Sequence, residues 1–391
     1  MVHMLCAVIL LGLIGARDGE PPVANPARAA VQATLADLQR AVLAGDHKAF
    51  LARIDRSEPR LSTEMLHWAD DLAKHHPFEF TAELVDEGAR FEESRAVCGV
   101  RMTWRIALDE NGRDIAPDKA WARSATFPPV IFTRGDDGRW LWAGEDWLVM
   151  PGDGFVVKYL PGDEAVAREV REAFPVARRH VDEGFDIAGT PPQIIKLYAS
   201  MDHLKATVYL SMPDPVLGGW NEPGESIKFM RDYTTGRASW TRAFAHEYGH
   251  AATWEMGPRA RDLPWWMQEG VAELAAEEFD PGKAEFNEHQ MRRYAQGRGV
   301  APWEKLADYA TCEQPLKHQA YVQGHHLMGY VSARFGRAKR NQWLRALSSG
   351  RSLDEGTREV LGVSFEELSG AWRATLPAAA EARPTATDPP K

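Results

Sequence analysis

The stretch "WTRAFAHEYGHAATWEMGP", residues 240–258, places His246, Glu247 and His250 in a His-Glu-x-x-His spacing. Residues four apart share one face of a helix, a turn apart, so the two imidazoles can grip a single metal ion. Glu247 then lies about 100° around the helix from His246. From there its carboxylate reaches a metal-bound water without binding the metal, which is the geometry of a hydrolytic site. With thirteen histidines in the chain, a polar patch on an ordinary helix is the competing reading. A third ligand decides between them. Eighteen residues, Ala251 to Gln268, lead from His250 to Glu269 in "LPWWMQEGVAELAAEEF". That length finishes one helix, turns, and lays a second beside it, so Glu269 completes a His2Glu set with an open fourth position for water. Glu273 follows on the same face of the second helix. It suits the role of partner to the other ring nitrogen of a ligating histidine, the alternative being a solvated charge beside Glu277 and Glu278. Ser239 is the candidate N-cap of the first helix and Gly257-Pro258 its stop. Ala243, Ala245, Gly249, Ala251 and Ala252 leave room for close neighbours.

The joint pattern, His-Glu-x-x-His followed by Glu in "W-x-x-E-G-x-A", resembles the gluzincin metallopeptidases of the peptidase MA superfamily. It is especially similar to aminopeptidases of the membrane-alanyl and leukotriene-hydrolase type. The resemblance implies a thermolysin-like, mainly helical zinc metallopeptidase domain with a small edge sheet. It implies Zn2+ held by His246, His250 and Glu269, and Glu247 as general base. "QAYVQGHHLMGYVSARFG" is similar to the family's Tyr-x-x-Gly segment through Tyr321 and Gly324. The family's tyrosine steadies the oxyanion, so the resemblance implies that role for Tyr321; a structural tyrosine at a helix start is the alternative. His325 and His326 are expected to be satisfied or solvent-facing. The family's Gly-x-Met-Glu-Asn, whose Glu holds a substrate amine, has no counterpart in "LGGWNEPGESIKFM", although Glu222 is an acid near the right place. The resemblance covers residues 155–370.

These residues need elements to position them. Val31, Leu35, Leu38 and Val42 recur at helical spacing in a helix over 27–45, with further helices from about Asp46 and near 62–75. "RAVCGVRMTWRIAL" then alternates as a strand, with Val100, Met102, Trp104 and Ile106 on one face. "PPVIFTRGDDGRWLWAGEDW" reads as a hairpin. Helices followed by a curved antiparallel sheet make an α+β module over 25–148, whose element order resembles the cone of nuclear transport factor 2 and ketosteroid isomerase. "VMPGDG", 149–154, reads as a turn-rich boundary. A peptidase domain over 155–375 begins with strand "FVVKYL", a helix from Asp163 to about Gly184, and strands "QIIKLYAS" and "ESIKFMRD", and continues in helices. The tail 376–391 is rich in Pro and Ala and is expected to be disordered.

The ends and the composition set the setting. Residues 1–16 read as a signal peptide: the apolar run Met4–Ile14 is too short to span a bilayer, and Ala16 offers a cleavage point. An exported protein is expected, with an uncleaved anchor as the lesser alternative, and no other run suits a membrane span. The net charge of −10 argues against a nucleic-acid surface. Cys98 and Cys312 fall in different modules and read as free buried thiols. The sum is an exported zinc-dependent metallopeptidase acting on a peptide or protein by a zinc-activated water. An aminopeptidase anchored through Glu222 and a non-catalytic zinc-containing binding protein are the alternatives.

Overall fold

The computed structural model describes residues 25–377 apart from positions 111, 213–217, 281 and 298. The expected leader at 1–16 lies outside the described residues, as does the expected tail beyond Pro377. Three helices come first: α1 (Pro26–Leu43), α2 (His47–Leu51) and α3 (Pro59–Lys74). Asn25 caps α1 by accepting from the N–H groups of Ala27 and Arg28, and Pro26 occupies a first turn that has no use for its missing donor. Val31, Leu35, Leu38 and Val42 are buried together with Trp68 and Phe127.

These helices cover an antiparallel sheet of β1 (Glu79–Phe91), β2 (Arg95–Arg105), β3 (Arg123–Arg134) and β4 (Trp140–Glu145), in that spatial order. The expected face, Val100, Met102, Trp104 and Ile106, is buried. Register shifts interrupt all three pairings, one where Pro128 and Pro129 break β3 and one beside Gly144, whose φ is +85°. Such bulges bend a sheet. Strand β1 was not legible: "EFTAELVDEGARF" mixes Glu, Asp, Ala and Gly into an edge strand with most positions partly exposed.

The turn expected at 149–154 is mostly strand. β5 (Leu148–Gly152) pairs antiparallel with β6 (Phe155–Tyr159) around a two-residue loop, with Gly154 at φ +70°. The second sheet therefore begins at Leu148. After α4 (Glu164–Phe185) come β7 (Gln193–Tyr198), α5 (Met201–Val208), β8 (Gly219–Trp220) and β9 (Ile227–Met230). The sheet order is β5-β6-β7-β9-β8; β6, β7 and β9 run parallel, and β8 closes the edge antiparallel to β9. Helix α5 and strand β8 were missed. The signal for α5 was present, since Ser200 caps it and Asp202 sits in its first turn.

Helices complete the chain: α6 (Arg237–Trp254), α7 (Trp265–Ala276), α8 (Lys283–Gln296), α9 (Gln314–Phe335), α10 (Arg337–Ser348), α11 (Leu353–Leu361) and α12 (Phe365–Arg373). α6 packs on both α4 and α7, and it is buried nearly all round. Phe174 of α4 and Phe229 of β9 meet Phe244 of α6 edge-on at 5.4 and 5.2 Å between ring centroids, anchoring the helix to the sheet. Its N-cap is Gly236, φ +81°, and not Ser239, which lies inside the first turn. Among the described residues no helix is long and apolar enough to cross a membrane. Cys98 and Cys312 are buried free thiols, and burial pushes the Cys98 thiol up to about 12.

Candidate metal centre

α6 presents His246 and His250 to α7, which lies alongside and presents Glu269. Gly249 permits that approach: a Cβ there would stand 3.1 Å from the Ala272 Cα. His246 Nε2 lies 3.6 Å and His250 Nε2 3.5 Å from the same atom, Glu269 Oε2. Ligands about 2.1 Å from a tetrahedral ion stand about 3.4 Å apart, so the spacing matches a common metal. The donor chemistry fits too. Glu269 Oε1 accepts from Trp265 Nε1 at 2.8 Å, whereas the buried Oε2 has no hydrogen-bond partner. Buried carboxylate oxygens are rarely left so, and a cation between the three side chains would satisfy this one. On the far side of the imidazole, Glu273 Oε1 is 3.4 Å from His246 Nδ1, and Lys283 of α8 holds Glu273 Oε2 at 2.6 Å.

The electrostatics favour a cation at this point. Burial pushes the Glu269 carboxyl up, but the imidazoles outweigh it and hold the group well below the usual carboxylate range. Burial pulls His246 down, and Glu269, Glu273 and Glu247 outweigh it, raising the imidazole to about 9. The negative potential that retains a proton there also attracts a metal ion.

Glu247 is buried beside the histidines and lines a cleft together with Tyr233, Tyr309 and Tyr321. Burial raises its carboxyl pKa, against the pull of His246 and His250. Gly219 of β8 packs against it so closely that a Cβ would meet Glu247 Oε1 at 2.5 Å. Asn221 Nδ2 donates to the Glu247 backbone carbonyl at 3.0 Å. The edge strand and the acid are thus fitted to one another.

Tyr321 reaches the cleft from α9, and it lies beyond the first turn of that helix, not at its start. Its ring stacks on His246 at 6.4 Å and meets Trp265 edge-on at 5.6 Å. Burial, with Glu269 and Glu247 adding to it, keeps the phenol protonated far above its ordinary range. Gly324, a turn further on, explains the Tyr-x-x-Gly spacing: a Cβ there would fall 2.0 Å from the Trp266 carbonyl oxygen, and one on Gly270 would fall 2.5 Å from the Gly324 carbonyl carbon. The glycines after Glu269 and after Tyr321 let the two backbones cross in contact.

Glu222 stands in an adjoining cleft, bordered by Tyr309 and α3. Burial and Glu225 push its carboxyl up to about 7, while His67 and His250 pull the other way. His325 binds Glu277 at 2.7 Å and Asn287 at 3.0 Å, and His326 binds Glu288 at 2.7 Å; both tie helices together, as expected. Sequence reasoning missed Trp265, Lys283, Asn221 and Gly219. Trp265 carried a signal, four residues before Glu269 on one helix face; the others come from distant segments.

Residues 187–378 match the family model described as Peptidase MA superfamily. The matched part, which runs from just before β7 to the end of the helices, is similar to a Peptidase MA superfamily domain. It contains every residue of the centre described above. Peptidases of this superfamily are typically metal-dependent, and such a domain implies peptide or protein substrates. A search of curated proteins returned no match.

Proposed function

We propose that the protein is an exported, zinc-dependent metallopeptidase of gluzincin type. The observation that carries the reading is the convergence of His246, His250 and the unpartnered Glu269 Oε2 on one point, with Glu247 in the adjoining cleft. Zinc held by those three residues would act as a Lewis acid on the scissile carbonyl and lower the pKa of a water. Glu247 takes the proton from the attacking water and passes it to the leaving amine. Its burial supports that role, because raising the carboxyl pKa makes the carboxylate a stronger base. The Tyr321 hydroxyl donates to the oxyanion. Glu273 orients His246 through Nδ1 and leaves Nε2 free for the metal. Among the described strands β8 is the last of its sheet, and an extended peptide adds beside it as a further strand. Export rests on residues 1–16 as a signal peptide.

A second reading, an aminopeptidase, is favoured by Glu222, a half-buried carboxyl whose pKa burial and Glu225 raise, in the cleft that adjoins that of Glu247 across Tyr309. A non-catalytic zinc protein would have no use for Glu247. The test is metal analysis together with quenched peptides carrying free or blocked N-termini, with and without chelator. The expected result is one zinc per chain and chelator-sensitive cleavage, lost in Glu269→Ala with the metal. In Glu247→Gln turnover should fall by about 10² to 10⁴ with the metal retained. Wild-type rates in Glu247→Gln would sink the mechanism. Dependence on a free N-terminus would favour the aminopeptidase.

A further inference from the structure

The N-terminal module does not stand apart from the cleft. His67, Asp70 and Lys74 of α3 line an adjoining cleft together with Trp220, Glu222 and Tyr309, and Tyr309 also borders the metal side. The same helix grips the turn that joins β8 to β9. Glu64, buried, accepts from the Ser226 N–H at 3.2 Å and from the Ser226 hydroxyl, and binds Lys196 Nζ of β7 at 2.6 Å. His67 Nδ1 lies 2.6 Å from Glu225 Oε1, whose other oxygen holds Lys228 Nζ at 2.9 Å. Thr63 packs against Gly224, where φ is +82° and a Cβ would stand 3.2 Å from the threonine methyl. Thr63, Glu64 and His67 form one face of α3, and all three meet this turn.

The turn needs outside support. Among the described residues β8 is held to the sheet through two residue pairs, Gly219 with Phe229 and Trp220 with Lys228. Yet Gly219 and Asn221 are the groups fitted to the side chain and backbone of Glu247. Strands this short are weakly held by their own hydrogen bonds.

Building on the peptidase reading, we propose that α3 is a positioning element of the active site: Glu64 and His67 clamp the turn Glu222–Ser226 and so hold β8 in register to receive a peptide beside Glu247. The N-terminal module is on this account part of the cleft, and His67 acts through Glu225 without touching the reacting atoms.

The experiment compares full-length wild type, His67→Ala, His67→Gln and Glu225→Gln by hydrogen exchange, metal content and peptide kinetics. In His67→Ala, amides of Trp220–Ser226 should exchange about tenfold faster while those of α6 keep their protection. KM should rise about fivefold or more with kcat within about twofold, since loosened β8 weakens binding more than chemistry. Metal content should not change. Glutamine at position 67 can still donate to Glu225 and should recover both exchange and KM. Glu225→Gln removes the acceptor charge and should loosen the same amides, which keeps the clamp testable if the alanine variant folds poorly. Unchanged exchange and KM in both His67→Ala and Glu225→Gln would overturn the proposal. A raised KM with unchanged exchange would overturn it too, and make His67 a direct substrate contact. A wild type that cleaves no peptide would fell the peptidase reading instead, leaving the exchange data to judge the clamp.

Discussion

Glu269 spends its two oxygens on different tasks. The indole of Trp265 fixes Oε1, and Oε2, without a hydrogen-bond partner, faces the two histidines. Trp265→Phe keeps an aromatic side chain, though a smaller one, and removes the donor. Metal affinity should fall about 10- to 100-fold, as for other groups that orient ligands, with little change in thermal stability. Competition with a chromophoric chelator measures this; unchanged affinity would make Trp265 a packing residue. Tyr321→Phe addresses the oxyanion. kcat and kcat/KM should fall together by about 10² to 10³ with KM nearly constant and metal content retained. Steady-state kinetics on one quenched peptide suffices. Normal kcat would pass the role to Tyr309, which also lines the cleft, since the Tyr330 hydroxyl is engaged by Arg334 at 2.7 Å.

At the scale of elements, the centre exists because three helices cross at backbone contact. Gly249 lets α6 meet α7, and Gly270 with Gly324 lets α7 meet α9. Gly324→Ala puts a methyl where the Trp266 carbonyl stands, and neither partner is a flexible side chain that can yield. Forced overpacking of this kind costs about 1–3 kcal/mol. Denaturant unfolding should show that loss. Separating α9 from α7 also withdraws Tyr321, so kcat should fall even in the folded fraction. A stable, fully active variant would mean the helices can slide apart without consequence. Most elements were legible in the sequence: the stripes of α1 and α4, the alternation of β2 and the β3–β4 hairpin came from spacing alone. β1, β8 and α5 were not. β1 is an edge strand with polar positions, β8 is two residues long, and α5 is a short helix whose place is set by the Trp68 and Trp104 indoles donating to its Ala206 carbonyl and to that of Leu210 just beyond.

Across the whole molecule, buried charge joins the two modules. Glu64 and Glu145 of the N-terminal module face Lys196 of β7, and Glu145 also binds His203 of α5 at 3.2 Å. Burial pushes both carboxyls up, but Lys196, Lys228 and Ser226 around Glu64, and His203 with Lys196 around Glu145, outweigh it and hold each well below the usual carboxylate range. A depressed carboxyl stabilises the fold above its ordinary value of about 4.5 and loses that contribution as pH falls toward 2. His67, raised by Glu225, works the other way, but its contribution is complete below its ordinary value near 6.5 and does not offset the acid limb. Urea unfolding should therefore show stability falling from pH 5 to pH 2.5, with a shallower slope in Glu64→Gln. A flat profile over that range would show that these carboxylates titrate alike in the folded and unfolded chain.

Local spacing determined the chemistry that could be offered. His246, Glu247 and His250 share a helix, so their mutual geometry follows from the helical repeat, and Glu269 and Glu273 follow on the next helix after enough chain for it to lie alongside. Tyr321 and the glycines were visible as residue types, while the reason for their spacing was not. What tertiary structure decided is everything that depends on segments far apart in sequence: the unpartnered oxygen of Glu269, the grip of Lys283 on Glu273, and the seat of Gly219 and Asn221 against Glu247. The same holds for the N-terminal module, whose sequence reads as a separate unit. Its helix α3 has an ordinary amphipathic pattern, and nothing within it announces that Glu64 and His67 meet Ser226 and Glu225. Those pairings arise from the way two folded surfaces dock, where burial makes each charge find a partner, and no periodicity in either segment encodes the other.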